Sequence, residues 1–184
     1  MKILRVANID GVGRPEPDPA VNEVETLRGF LNYQRATLKW KCEGLTQDQM
    51  SVCVAKSTIT LGGLLKYMTF VENEWFWCWV GDNERLEPWL SADFEQDPDW
   101  EFTSASAESA VTLVGNWQAS IDLSESVLDG CLQSGGLDQL AKRKWPSGES
   151  PSLRWILVHM IEEYARHNGH ADFIRESIDG SVGE

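Results

Sequence analysis

The chain has 184 residues, 42% of them hydrophobic, and a formal charge of −13. That length and composition suit one compact domain with a sizeable core. Basic residues are few and dispersed, densest at Lys142-Arg143-Lys144, which speaks against a nucleic-acid partner and an anionic membrane surface.

The opening Met1-Lys-Ile-Leu-Arg-Val is too short an apolar run for a secretory signal, and the most apolar segment, Trp75 to Val80, is too short to cross a bilayer. A soluble, cytoplasmic protein is expected. The four cysteines, Cys42, Cys53, Cys78 and Cys131, have no CxxC spacing, so buried free thiols are expected rather than a disulfide framework.

In chain order, residues 1–18 carry Gly11, Gly13, Pro15 and Pro17 and read as an N-terminal arm; residues 19–180 read as the folded domain. Asp18 before Pro19 is a cap followed by a first-position proline. Val21, Val24, Leu27, Phe30, Leu31, Leu38 and Cys42 then keep a helical period up to Gly44. A second helix starts near Thr60 and runs to about Val80. Its early Gly62 and Gly63 weaken it locally but permit a close crossing with another helix. Residues 82–103 are acidic, contain Pro88, Trp89, Pro98 and Trp100, and read as a long loop of the kind that forms lids or interaction surfaces. A third helix runs from about Ser106 to Leu132, residues 133–151 connect, and Ser150-Pro151 opens a fourth helix that stops at Gly180. The predicted helices lie near 19–43, 60–80, 105–132 and 150–178. Short strand signals occur only around 4–9 and 51–55. The fold class expected is all-α, a four-helix bundle with long connections.

The fourth helix holds all the histidines. His159, Glu163, His167 and His170 fall within roughly 80° of one another at about 100° per residue. Imidazoles and a carboxylate on a face that usually carries Leu or Ala are ligand types for a divalent metal. They cannot share one ion, because His159 to His170 spans roughly 16 Å of helix rise. The close pairs are Glu163 with His167 and His167 with His170; another helix must complete a site, and His159 reads as a packed or outer-shell histidine. On the second helix, Tyr67 and Glu74 are seven apart on nearly one face, with Cys78 a turn further on. Glu74 and Cys78, with His159 and His170, are read as pocket residues or alternative ligands.

The run Trp75-Phe76-Trp77-Cys78-Trp79 points rings in every direction around a helix. Some must cover a neighbouring loop, a partner subunit or an apolar ligand, and nine tryptophans in all make a homodimer interface plausible. Gly11-Val-Gly13 lacks the remaining glycine and helix of a dinucleotide motif.

Leu61-Gly-Gly-Leu-Leu-Lys-Tyr-Met-Thr-Phe-Val-Glu and His159-Met-Ile-Glu-Glu-Tyr-Ala-Arg-His-Asn-Gly-His-Ala-Asp resemble the DinB/YfiT superfamily. The segment Glu25-Thr-Leu-Arg-Gly-Phe-Leu-Asn-Tyr-Gln-Arg-Ala-Thr-Leu-Lys-Trp-Lys is similar to an actinobacterial branch of unassigned function. The resemblance covers most of residues 20–178. It implies a four-helix bundle with a long crossover and a divalent metal, zinc or nickel, held by one residue of the second helix and an i, i+4 pair on the fourth. Relatives include mycothiol-dependent maleylpyruvate isomerase and transferases of low-molecular-weight thiols. By this resemblance Glu163 and His167 are the metal pair, while Tyr67 stands where the family has a histidine. Neutral tyrosine is a poor zinc ligand, so weak or absent occupancy is expected, with Tyr67 acting as a third ligand or a proton donor. The function expected is metal-dependent thiol transfer or isomerisation on a small electrophile. The alternative is an inactive bundle that binds a small ligand or a protein.

Overall fold

The computed structural model describes residues 8–183. The first seven residues of the arm, with most of the strand candidate over 4–9, lie outside the described residues. From Asn8 the arm is irregular, with one antiparallel bridge between Ile9 and Pro15. It is pinned to the first helix by Arg14, which donates to Thr37 at 3.2 Å and lies over the Tyr33 and Trp40 rings.

Helix α1 spans Glu23–Cys42 and begins later than Pro19. Asp18 accepts from the nearby Ala20 N–H. Asn22 is the residue whose side chain accepts from Glu25 N–H and starts the helix. Beyond the C-terminus Gly44 takes φ +74°, a conformation glycine adopts without strain. A four-residue helix α2, Gln47–Met50, is closed by a reciprocal Thr46–Gln49 capping box. Residues 51–55 form turn and coil rather than a strand.

Helix α3 spans Leu61–Glu72, capped by Thr60, and continues as a π-helix over Asn73–Val80. The early glycines serve the close approach expected of them. A Cβ at Gly63 would lie 2.8 Å from the Phe102 ring, and one at Gly62 would lie 3.2 Å from Leu113. Residues 82–99 are the expected loop, with Trp89 buried, and only the end of the segment is helical: the short helix α4, Trp100–Ser104, packs on α3. A 3-10 turn over Ala105–Ala107 leads to α5, Ala110–Ser134, which is capped by Ser109. After a second such turn at Gly136–Asp138, a bridge between Leu140 and Ser152 brings the chain to α6, Leu153–Asp179. Ser152 caps this helix in place of Ser150, and Gly180 ends it at φ +78°.

Helices α1, α3, α5 and α6 form the bundle: α1 packs chiefly on α6, and α3 lies against both α5 and α6. Among the described residues the sheet content is confined to the two isolated bridges, so the expected all-α class holds. The core is built from Leu31 and Leu38 of α1, Leu64, Leu65 and Met68 of α3, Trp117 and Leu128 of α5, and Ile156, Leu157 and Met160 of α6. No helix among the described residues is long and apolar enough to cross a membrane. All four cysteines are free; Cys42, Cys78 and Cys131 are buried as expected, but Cys53 is exposed in the 51–55 turn.

Candidate functional site

On α6 the buried stripe runs Met160, Tyr164, His167, Ala171, Ile174, so helical register alone turns His167 inward. One turn earlier, Glu163 lies on the edge of that stripe. Across the groove, Tyr67 of α3 donates its hydroxyl to Glu163 Oε2 at 3.1 Å, and its ring lies 4.8 Å from the His167 ring. His167 Nε2 faces the same Oε2 at 3.6 Å, beyond ordinary hydrogen-bond range. His170 Nδ1 approaches His167 Nδ1 at 3.4 Å. Tyr67, Glu163, His167 and His170 therefore come together.

The electrostatics follow from this packing. The His167 ring facing it, aided by the Tyr67 hydroxyl and against the effect of burial, holds the Glu163 carboxyl below its ordinary value. Burial, and then the neighbouring Glu163 carboxylate, push the Tyr67 hydroxyl above its ordinary value. At neutral pH the pair is a carboxylate accepting from a protonated phenol. Burial, then His167 and Arg166, lower His170.

His159 faces the other oxygen of Glu163, with Nε2 3.7 Å from Oε1, while its Nδ1 is 3.7 Å from Glu162 Oε2. Its ring stacks on Trp155 at 4.9 Å and meets the edge of Trp75 at 4.7 Å. Trp75 touches Trp79, and Trp79 touches Trp145. The tryptophans of the aromatic run thus split: Trp75 and Trp79 join Trp145 and Trp155 in one wall beside His159.

Glu74 and Cys78 sit elsewhere. Glu74 accepts from Arg85 at 2.9 Å and faces Arg143 at 3.9 Å. Cys78 is buried beside Glu74, and that burial raises its thiol to about 11. Placing Tyr67, Glu74 and Cys78 on one face assumes 3.6 residues per turn. The i→i+5 geometry that begins at Asn73 changes the angular step between them.

Two features escaped the sequence reading. Glu101 of α4 is 5% exposed, and no other side chain among the described residues hydrogen-bonds or ion-pairs with it. Burial raises its pKa, and its charge is felt at Tyr67. Its neighbour Phe102 stacks on the Tyr67 ring at 5.3 Å. The second feature is a buried network behind the site. Glu72, 0% exposed, takes two 2.8 Å bonds from Arg35 and a third from the Tyr164 hydroxyl at 2.8 Å. Tyr164 in turn accepts from the Trp117 indole at 2.9 Å. The available signal was register: Arg35 lies between Leu31 and Leu38, and Glu72 between Met68 and Phe76, on apolar stripes.

The arrangement offers an oriented imidazole, a carboxylate facing it, a phenolic proton and a nearby buried carboxyl. These are parts for moving a proton onto or off a nucleophile. Among known families, the model described as mycothiol-S-transferase matches residues 26–180. A search of curated protein sequences returns no match.

Proposed function

The chain belongs to the mycothiol-S-transferase family, and on that footing we propose that it transfers a low-molecular-weight thiol of the mycothiol type to a small electrophile at the Tyr67–Glu163–His167 cluster. The observation that carries this reading is the 3.1 Å bond from Tyr67 to Glu163 beneath the inward-facing His167. It joins α3 to α6 at the residues that the resemblance implies as a metal set, which supports the reading.

The three-residue metal set implied by that resemblance does not fit in full. The third position holds a phenol that is itself donating to Glu163, leaving one carboxylate and one imidazole where tight zinc sites use at least three protein ligands. The chain's own residues supply the proton chemistry. His167 takes the thiol proton, Glu163 stabilises the resulting imidazolium, and the sulfur attacks carbon as a thiolate. With a halide-bearing electrophile the S–C bond forms as the carbon–halogen bond breaks and halide departs. With a ring-opening or carbonyl-type electrophile the developing oxyanion takes the Tyr67 proton.

The aromatic wall favours the second reading, a ligand-binding bundle without turnover, because four tryptophans beside His159 offer stacking surface to a flat molecule. The two are separated by mixing the protein with mycothiol and a chloronitrobenzene and following conjugate formation. Thiol transfer predicts turnover that falls about a hundredfold or more in His167→Ala and Glu163→Gln. Binding of either compound without conjugate in the native protein supports the second reading. Pairing of two copies belongs to the same proposal; the exposed Trp155 and Val158 supply apolar surface for it, and light scattering at micromolar concentration tests it.

A further inference from the structure

Glu163 presents its two oxygens to different surroundings. Oε2 takes the Tyr67 proton and faces His167; Oε1 faces His159 and carries no hydrogen bond among the described residues. One turn of α6 thus sets His159, Glu162 and Glu163 at i, i+3 and i+4, neighbours on a helix surface. One ring nitrogen and one oxygen from each carboxylate lie within 4.8 Å of one another. The nitrogen–oxygen separations of 3.7 Å are too long for hydrogen bonds. They belong to opposite nitrogens of the ring, Nδ1 toward Glu162 and Nε2 toward Glu163. An ion on either nitrogen therefore draws the carboxylates in from within 4.8 Å toward the ~3.4 Å edge of a tetrahedron with metal–ligand bonds of about 2.1 Å.

We propose that His159, Glu162 and Glu163 form a binding site for a divalent transition metal of the zinc class, offset along α6 from the Glu163–His167 pair and sharing Glu163 with it. Two carboxylates and a neutral imidazole balance the charge of such an ion, and three protein ligands with an open position are what a catalytic-type zinc site uses. The imidazole is oriented by Trp155 on its face and Trp75 at its edge, and its side chain keeps 22% of its surface open to an arriving ion. Arg166 pairs with Glu162 Oε1 and leaves Oε2 toward His159. The site does not require Tyr67 as a ligand, so the departure at that position leaves it intact. The proposal stands on ligand geometry and is independent of thiol transfer.

The test uses the full chain, untagged and stripped with a chelator, titrated with Co²⁺ or Ni²⁺ by calorimetry and by tryptophan emission. Trp155 and Trp75 flank His159, so an ion there quenches their share of the emission. The expected result is about one ion per chain with quenching. His159→Ala and Glu162→Gln should each weaken binding at least about tenfold and reduce the quenching, with His167→Ala remaining within about threefold of native. Glu162 is exposed, so Glu162→Gln keeps the test valid if His159→Ala fails to fold. Native-like binding by Glu162→Gln and His159→Ala, loss of binding in His167→Ala, or no binding by the native chain up to millimolar ion would overturn the assignment. A His167→Ala protein that binds the ion but forms no conjugate would keep this site and the thiol-transfer reading apart.

Discussion

Replacing Tyr164 by Phe removes one oxygen atom and leaves the ring in a fully buried position. The lost hydroxyl donates to Glu72 at 2.8 Å and accepts from Trp117 at 2.9 Å. A hydrogen bond to a charged group contributes roughly 1.5–3 kcal/mol, and an indole N–H left unpaired in a dry core costs about 1 kcal/mol more. Arg35 still holds both Glu72 oxygens, so the carboxylate is not abandoned and the total stays near 3 kcal/mol. For a domain of this size each kcal/mol shifts the melting temperature by about 2–4 °C, so a fall of roughly 6–12 °C is expected. Scanning calorimetry reads it, with urea unfolding as a check that the m-value is unchanged. Arg35→Met leaves a buried charge without its partner and should cost more, about 3–5 kcal/mol; the double variant should be non-additive because both residues bind Glu72. A Tyr164→Phe shift below about 2 °C would mean that the hydroxyl contributes little and that the network is not a stability element.

Tyr67→His should raise calorimetric affinity for zinc or nickel by at least about tenfold, since it adds a third good ligand beside Glu163 and His167; adding His167→Ala should remove that gain. Glu101→Gln should raise the melting temperature at pH 7. Burial lifts the folded-state pKa of this carboxyl above 4.5, so its contribution is fully present only below the unfolded value and is lost as pH rises through the folded one. The advantage of Gln should therefore shrink as the melts are taken below pH 4.5; a constant advantage across pH would contradict this. Gly63→Ala brings a methyl to 2.8 Å from Phe102 Cδ1 and 3.3 Å from Phe102 Cα. Backbone must move, so a loss of about 1–3 kcal/mol in urea unfolding is expected.

Helix periodicity was legible because α1, α3, α5 and α6 each bury one stripe of apolar residues. The starts were less so. Asp18 and Asn22 are both capping residues, and Ser150 competes with Ser152. Which one caps depends on where the following turn packs, not on the residue type. The histidine cluster was legible for the same reason as the helices, since positions three and four apart meet on any α-helix. The π-helix was not. Four aromatic residues and a cysteine in one run do not announce a change of hydrogen-bond step, and that change breaks a face count carried from Tyr67 to Cys78. Glu72 was hidden by the reverse assumption, that an acidic residue marks the solvent face; its partners come from α1 and α6, too distant in sequence to be seen together.

The seam between the first and last helices also sets the order of events during synthesis. Asn168 donates to Gln34 across 134 positions, Lys41 pairs with Asp172, and Arg175 donates to the carbonyls of Lys41 and Glu43. At the pace of translation, α1 waits on the order of ten seconds for the helix that covers it. Its apolar stripe is open to other chains in that interval, and closure then proceeds by contacts of long sequence separation, which form slowly. The same helix supplies Glu163 and His167. A nascent chain therefore completes its core, and brings Glu163 and His167 to Tyr67, only once α6 has emerged, and a fragment that stops short of α6 has neither contact.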